Sequence, residues 1–188
     1  MEKTLTQDAV RNPGRARLLV TTGLFAALSC AATMALQIPS PTGGYMNLGD
    51  TAVLLGAYLL GPVYGAVAGG VGSALADLLS GYPVYVPATL IIKAVMAVIA
   101  AGLFRVLGRK GILLCAAAAE IPMVAGYWLF DALLTSLSSG GAFSLCLAGS
   151  AAGIPSNLVQ AAFGIAASTL LTLALSRSAY VRREFPRL

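Results

Sequence analysis

The chain has 188 residues, of which 58% are hydrophobic and 10% are charged, and its formal net charge is +5. A soluble domain carries about 25% charged residues, so this chain has too few to cover a water-exposed surface. Because a membrane-spanning helix takes about 20 apolar residues, the chain supplies roughly five or six spans and has no room for a separate soluble domain.

The first predicted span covers residues 18–38 and follows a basic tail, residues 1–17. It is interpreted as a retained span because no small-residue cleavage site follows a short apolar core. Prolines and glycines then begin a loop over residues 39–48. The apolar runs 51–60 and 63–80, separated by Gly-Pro, predict a tight helical hairpin whose first arm is short for a full span.

The second half of the chain contains three further predicted spans. Residues 81–86 form a break, and the proline that follows suits the first turn of a fourth span over 87–107. The fifth span is predicted over 111–137. A polar loop begins at residue 138 and extends to 142, or on to about 149. The sixth span then runs over 151–175.

The basic residues indicate the topology. They cluster in residues 1–17, 105–110 and 176–188, whereas the intervening loops contain no Lys or Arg. With six spans, all three basic segments fall on one side, which the positive-inside rule places in the cytoplasm. We therefore predict a single all-α domain over residues 1–188, in which a bundle of six transmembrane helices covers 18–175 and residues 1–17 and 176–188 are cytoplasmic tails. The positive charge is then a topology signal and does not indicate nucleic-acid binding.

Several charged side chains lie in positions that are costly in a membrane. Lys93 lies inside the fourth span, where a charge costs about 2.5–3.5 kcal/mol and needs a partner or a watery cavity. Asp77 and Asp131, near the outer ends of spans three and five, are the predicted partners. Asp50 is interpreted as the N-cap of span two. Glu120 falls near mid-membrane without a clear partner.

Asn157 and Gln160 lie one turn apart on span six and share a face, either as interhelical hydrogen-bonding groups or as ligand contacts. Polar groups thus converge at one depth beneath loops rich in Tyr, Pro and Gly, which predicts a small-ligand pocket. Tyr82 is a further candidate for packing on a ligand ring. The predicted ligand contacts are Asn157, Gln160, Lys93, Asp77, Asp131, Tyr45, Asn47, Tyr85 and Trp128.

Span one carries small residues every four positions: Gly23, Ala27, Ala31 and Ala35. Such a stripe lets another helix approach closely, either within the monomer or from a partner membrane protein. The glycines of span three, at positions 65–72, predict close helix packing, since no nucleotide-binding strand precedes them. Without histidine or a C-x-x-C pair, the chain indicates no metal site and no disulfide framework.

Four segments resemble the substrate-binding S components of energy-coupling factor (ECF) vitamin transporters, in particular the riboflavin-type branch. They are residues 43–50 (GGYMNLGD), 60–65 (LGPVYG), 73–81 (SALADLLSG) and 87–93 (PATLIIK). Residues 120–131 and 155–160 also resemble the fifth and sixth helices of that family. The resemblance extends over about residues 18–175.

The resemblance implies a multi-pass protein of a prokaryotic cytoplasmic (inner) membrane, with a vitamin pocket on the outer side beneath the first loop. It implies that Ala27, Ala31 and Ala35 dock a shared transmembrane subunit that binds two cytoplasmic ATPases. The chain has no phosphate-binding G-x-x-x-x-G-K-[ST] loop, so it is expected to be a binding subunit without a cofactor and not an enzyme.

The resemblance also bears on the vitamin. Riboflavin-binding members are expected to contact the ligand through an asparagine and a lysine one turn apart in the last helix. Here these positions hold Asn157 and Gln160. This departure favours a smaller heterocycle, pyridoxine-like or hydroxymethylpyrimidine-like, with riboflavin as the remaining option.

Three other classes compete with this interpretation. A stand-alone secondary carrier usually shows paired inverted repeats with broken helices, and no convincing repeat is present. An intramembrane hydrolase could pair a serine with Lys93, but no serine is placed convincingly near it and the chain has no G-x-S-x-G motif. The third alternative is a purely structural bundle.

Overall fold

The computed structural model describes residues 13–185, which form a bundle of α-helices. Two 3₁₀ turns, Gly108–Gly111 and Ala151–Gly153, lead into the fifth and seventh helices. The helices are α1 (Pro13–Ala35), α2 (Gly49–Leu60), α3 (Pro62–Leu79), α4 (Val86–Leu107), α5 (Ile112–Ser139), α6 (Phe143–Ser150), α7 (Ile154–Leu175) and α8 (Ala179–Glu184).

Two very short strands lie between α1 and α2. Strand β1 (Ile38–Pro39) pairs with β2 (Tyr45–Met46) in an antiparallel arrangement, with Ile38 opposite Met46 and Pro39 opposite Tyr45. The pairing folds residues 36–48, here called the lid loop, back on itself at one end of the bundle.

Much of the helical surface is apolar, as a lipid environment requires. Large exposed side chains such as Leu24, Ile121 and Leu170 are each about two-thirds accessible. Four helical stretches within the described residues are long and apolar enough to cross a membrane: Gly14–Ala35, Pro62–Leu79, Val86–Ser139 and Phe143–Leu175. The third stretch contains both α4 and α5. These features fit the predicted all-α membrane bundle.

Helix α2 forms the centre of the bundle. It has 12 residues, and all except Thr51 are buried. It packs against α1, α3, α4 and α7. A helix too short for a full span is therefore accommodated because neighbouring helices, and not lipid, surround it.

Glycines hold α2 and α3 close together. The turn between them places Gly61 at φ +84°, which a residue with a side chain rarely adopts. A Cβ on Gly65 would lie 2.7 Å from Ala57 Cα, and one on Gly69 would lie 2.8 Å from Val53 Cγ1. The tight hairpin and the close glycine packing predicted from the sequence are both confirmed.

Of the two predicted extents of the loop after α5, the structure supports the shorter one, and the extension to about residue 149 is wrong. Helix α5 continues to Ser139 and ends at Gly140, which has φ +67°. Residues 143–150 then form α6, which packs on α5. This segment is apolar, and the Trp128 indole N–H donates a hydrogen bond to the Leu147 carbonyl at 2.9 Å.

The two ends of the bundle differ in charge. The start of α1, the end of α2 and the segment after α7 lie together, and the end of α2 also adjoins the α4–α5 turn, so all of these lie at one end of the bundle. Arg17 and Glu184 form an ion pair between α1 and α8 at this basic end, and the turn contributes Arg109 and Lys110. The lid loop lies at the opposite end. The predicted tail residues 1–12 and 186–188 are outside the described residues.

Candidate ligand-binding site

A partly enclosed cavity lies beneath the lid loop, at the end opposite the basic turn. Small-molecule sites are typically clefts with a few placed polar groups. The residues that line this cavity are Ser40, Gly44, Tyr45, Asn47, Asp77, Tyr85, Thr89, Tyr127, Asp131, Asn157 and Gln160.

The cavity is formed where helix ends meet. Asp77 lies in the last turn of α3 and Thr89 in the first turn of α4. Tyr127 and Asp131 are one turn apart on α5, so they face the same way. The first turns of α7 contribute the Asn157–Gln160 pair. The alternating helix directions therefore bring residues that are distant in the sequence to a single depth.

Carboxylates of the bundle hold the lid loop in place. The Thr42 hydroxyl donates to Asp131 Oδ2 at 2.6 Å, and the Tyr45 hydroxyl donates to Asp77 Oδ1 at 2.6 Å. Tyr85, just before α4, donates to Asp131 Oδ1 at 2.9 Å. Hydrogen bonds to charged groups are stronger than those between neutral groups, so the two aspartates hold the lid loop against the bundle. The bonds that Thr42 and Tyr45 donate to them are called the latches of the loop.

Two aromatic rings of the cavity wall, Tyr45 and Tyr85, contact a third ring, Tyr82. Tyr45 packs on Tyr82 with ring centroids 4.8 Å apart, and Tyr82 approaches Tyr85 at 6.2 Å. Burial, together with the hydrogen bond to Asp77 and the charge of that residue, raises the pKa of the Tyr45 hydroxyl above its ordinary value. The phenol therefore keeps its proton and stays a donor to Asp77.

A buried ion pair adjoins the cavity. The Lys93 ammonium pairs with Asp50, and both side chains are 1% exposed. Gln160 connects this pair to the lid loop: its Nε2 donates to Asp50 Oδ2 at 2.6 Å, and its Oε1 accepts from the Asn47 backbone N–H at 2.7 Å. The side-chain amide of Gln160 therefore connects the lid loop directly to the ion pair.

The predicted role of Asp50 is wrong. The N-cap of α2 is Leu48, which gives no side-chain capping bond. The Asn47 side chain instead accepts from the Gly49 N–H at 2.8 Å. Asp50 lies in the first turn of α2, but its carboxylate turns toward the interior, where the buried ammonium of Lys93 needs a counter-charge.

The predicted partners of Lys93 are also wrong. Asp77 and Asp131 lie at the expected depth, but their oxygens accept hydrogen bonds from Tyr45, Tyr85 and Thr42. Depth along a span does not fix the direction in which a side chain points. The helices are rotated so that Lys93 faces α2.

Glu120 has no obvious partner in the structure. It is 3% exposed, and neither carboxylate oxygen forms a hydrogen bond with the described part of the chain. Gly164 on α7 lies opposite it: a Cβ there would be 2.7 Å from Glu120 Oε1 and 2.9 Å from Asp50 Cβ. Because Gly164 has no side chain, the buried carboxylates of Asp50 on α2 and Glu120 on α5 can lie against α7.

The structure brings seven of the nine predicted ligand contacts to the cavity wall: Tyr45, Asn47, Asp77, Tyr85, Asp131, Asn157 and Gln160. Lys93 and Trp128 do not line it. Lys93 lies over the Tyr127 ring, 5.4 Å from its centroid, and Trp128 is turned toward α6.

Four lining residues were not predicted from the sequence: Ser40, Gly44, Thr89 and Tyr127. Tyr127 carried a usable signal, since it lies one turn before Asp131 on the same face. Thr89 likewise lies one turn before Lys93. No group of three or more His, Cys, Asp or Glu side chains is positioned to hold a metal ion within residues 13–185.

The small-residue stripe of α1 lies on the surface. Gly23, Ala27, Ala31 and Ala35 are all exposed, and a Cβ on Gly23 would meet no atom within 4 Å. The opposite face of α1 carries the buried Ser29 and other small polar residues. Within the described residues, the stripe therefore does not serve packing inside the monomer.

Comparison with known proteins identifies related sequences. The family described as "ECF-type riboflavin transporter, S component" matches residues 15–177. A Pyrococcus woesei protein, described as an uncharacterized protein in a gap 3′ region, is 45% identical over 97 residues. That match covers 50% of this chain and 65% of the Pyrococcus protein.

Proposed function

The chain belongs to the family of S components of ECF-type riboflavin transporters, and from this premise we propose that it captures a small aromatic heterocyclic vitamin from outside the cell. It then delivers the vitamin by docking to a shared transmembrane subunit that carries two cytoplasmic ATPases. Members of this family are substrate-binding subunits of transporters and not enzymes. The observation that carries the proposal is the cavity beneath the lid loop, whose wall combines carboxylates, amides and tyrosines.

The proposed topology has six spans, α1, α2, α3, α4, α5 and α7, in a prokaryotic cell membrane. Both termini and the basic turn Gly108–Gly111 face the cytoplasm, which places the cavity and its lid loop on the outer side of the membrane. Single cysteines introduced at Arg109 and Gly140, in a background without the native cysteines, test this. An impermeant thiol reagent should label position 140 in intact cells and spare position 109. The reverse pattern would overturn the topology.

The proposed vitamin is smaller than riboflavin, pyridoxine-like or hydroxymethylpyrimidine-like. Gln160 holds the position where riboflavin-binding members are expected to have a lysine. Its amide is engaged at both ends, with Asp50 and with Asn47. Asn157, which forms no side-chain hydrogen bond within the described residues, is then the freer amide for reading ring nitrogens and hydroxyls.

Mass spectrometry of material extracted from the purified, detergent-solubilised protein tests the ligand assignment. We expect one aromatic heterocyclic vitamin at a near-stoichiometric level. Recovery of an aliphatic compound with no aromatic ring would contradict the proposed ligand class. The identified compound should then bind the isolated chain in calorimetry.

An uptake assay distinguishes an S component, as proposed here, from a stand-alone secondary carrier. In proteoliposomes, uptake should require the transmembrane subunit, the ATPases and internal ATP. The isolated chain should bind its vitamin and transport none. Concentrative uptake by the isolated chain, driven by an ion gradient, would favour the carrier.

A further inference from the structure

Resting on the proposed function, we propose that the cavity selects a donor-rich heterocycle without negative charge, whose N–H or O–H groups face Asp77 and Asp131. Phosphorylated or carboxylated relatives of the same ring are then excluded. The proposed ligand is thereby defined by its charge and its hydrogen-bonding groups, and not only by the size of its ring.

The charge of the cavity wall is the first argument. Asp77 and Asp131 line it from α3 and α5, and the two residues are 5% and 4% exposed. Among the described residues, no Lys or Arg lines the cavity. An anionic substituent would therefore be buried beside one or two carboxylates without a counter-charge, and like-charge pairs at binding sites discriminate strongly against the wrong ligand.

Lys93 does not cancel this charge. Its ammonium is paired with Asp50 and does not line the cavity. The Tyr127 side chain lies between the ammonium and the cavity. It lines the cavity, and its ring centroid is 5.4 Å from Lys93 Nζ. A ligand phosphate or carboxylate could reach this lysine only by breaking a fully buried ion pair.

An unused acceptor gives the second argument. Asp77 Oδ2 is buried and forms no hydrogen bond within the described part of the chain. The Thr89 hydroxyl lies near the Asp77 carboxylate and is also 3.0 Å from the Tyr127 hydroxyl, but it forms no hydrogen bond of good geometry to Oδ2. Buried polar atoms in native proteins almost always have a partner. Because Asp77 lines the cavity, an N–H or O–H of the ligand is the natural donor for this oxygen.

Asp131 is placed to contribute in the same way. Its two oxygens each accept one hydrogen bond, from Tyr85 and from Thr42. A carboxylate offers about four acceptor sites, so each oxygen can take a second donor. The wall that faces the ligand is consequently rich in acceptors, and hydroxymethyl or amino substituents on an aromatic ring match it.

A charge series on one ring tests the inference with little change in size. Pyridoxamine carries an ammonium, pyridoxine a hydroxymethyl group and 4-pyridoxic acid a carboxylate at the same ring position. Calorimetry on the full-length protein in detergent measures the three affinities. If the ligand is a flavin, riboflavin and flavin mononucleotide, which differ by one phosphate, provide the same comparison.

We expect the uncharged or cationic member to bind, and its anionic relative to bind about 100-fold more weakly or not at all. Asp77→Asn and Asp131→Asn should reduce that ratio by about tenfold, because each removes one negative charge while keeping the side-chain shape. Glu184→Gln, which removes a carboxylate at the opposite end of the bundle, should leave the ratio unchanged. Melting temperatures show whether each variant is folded.

The possible results test the charge selectivity and the vitamin-binding function separately. If the anionic member binds as tightly as its neutral relative, the selectivity is overturned while the vitamin-binding function stands. If neither aspartate variant changes the ratio, the assignment to these carboxylates is overturned. If no aromatic vitamin binds at all, the proposed ligand class itself fails, and the selectivity fails with it.

Discussion

The Lys93 ammonium on α4 pairs with the Asp50 carboxylate on α2, although 43 residues separate them in the sequence. Both groups are almost fully buried, and Gln160 adds a hydrogen bond to the second oxygen of Asp50. Breaking a buried pair is costly because the remaining charge has no solvent. The pair therefore fixes the rotation of two helices relative to each other at the base of the cavity.

We expect Lys93→Met to destabilise the protein by about 3–5 kcal/mol, because it leaves Asp50 buried without its counter-charge. Asp50→Asn combined with Lys93→Met should recover a large part of this loss, since no charge is then left alone. Thermal unfolding in detergent measures the effect. Lys110→Met, which removes an exposed cation in the Gly108–Gly111 turn, is the control. Equal melting temperatures for the two single variants would show that the ion pair does not stabilise the bundle.

A second prediction concerns Gly164, where α7 meets Glu120 and Asp50. A Cβ at this position would lie 2.7 Å from Glu120 Oε1 and 2.9 Å from Asp50 Cβ. Gly164→Ala should destabilise the protein by about 1–3 kcal/mol through overpacking next to buried carboxylates.

Gly102→Ala is the matched control, because a Cβ at Gly102 on α4 would meet nothing within 4 Å. Replacing an interior helix glycine by alanine where there is space stabilises by about 0.5–1 kcal/mol. The two substitutions should thus shift the melting temperature in opposite directions. A loss of stability in Gly102→Ala as large as in Gly164→Ala would point to a general intolerance of the helices and not to local crowding.

The helices were predictable because apolar runs here end at glycine and proline. The third run was predicted over 63–80 and forms Pro62–Leu79. The 8-residue helix α6 was not predicted, because so short a segment shows no periodicity. The depth of Asp77 and Asp131 was predictable from their position in the runs, whereas the partner of Lys93 was not. That partner depends on helix rotation, which only packing at sites such as Gly65 and Gly69 determines.

Asn157 and Gln160 should respond differently to truncation although they share a face of α7. Gln160 holds Asp50 and the Asn47 backbone, so Gln160→Ala should lower both the melting temperature and ligand affinity. Asn157 lines the cavity with no side-chain hydrogen bond within the described residues. Asn157→Ala should reduce affinity by about 5- to 150-fold at an unchanged melting temperature. Unchanged affinity in both variants would remove α7 from the ligand site.

The latches of the lid loop should control how long a ligand stays bound. Thr42→Val removes the hydrogen bond that Thr42 donates to Asp131, and Tyr45→Phe removes the one that Tyr45 donates to Asp77. Such bonds contribute about 1.5–3 kcal/mol, so ligand dissociation should accelerate by about tenfold or more. Stopped-flow displacement measures the rate. Ser138→Ala removes a hydroxyl that bonds only to the Thr135 carbonyl outside the cavity and should have no effect. Unchanged rates in both latch variants would show that the loop does not limit release.

The last prediction concerns the exposed stripe on α1 and its proposed partner. Ala27 and Ala31 are exposed within the described structure and would allow a partner helix to approach closely. Ala27→Trp and Ala31→Trp should therefore abolish ATP-dependent uptake in proteoliposomes that contain the complete transporter. Binding of the vitamin to the isolated chain should persist, because neither side chain lines the cavity.

Matched controls come from other exposed alanines. Ala117 on α5 and Ala162 on α7 are both exposed, so a tryptophan there adds the same bulk on a different face. These controls should retain uptake and should still co-purify with the transmembrane subunit, whereas the stripe variants should not. Loss of vitamin binding together with uptake in the stripe variants would indicate a folding role for α1. Full uptake by both stripe variants would place the docking surface elsewhere on the bundle.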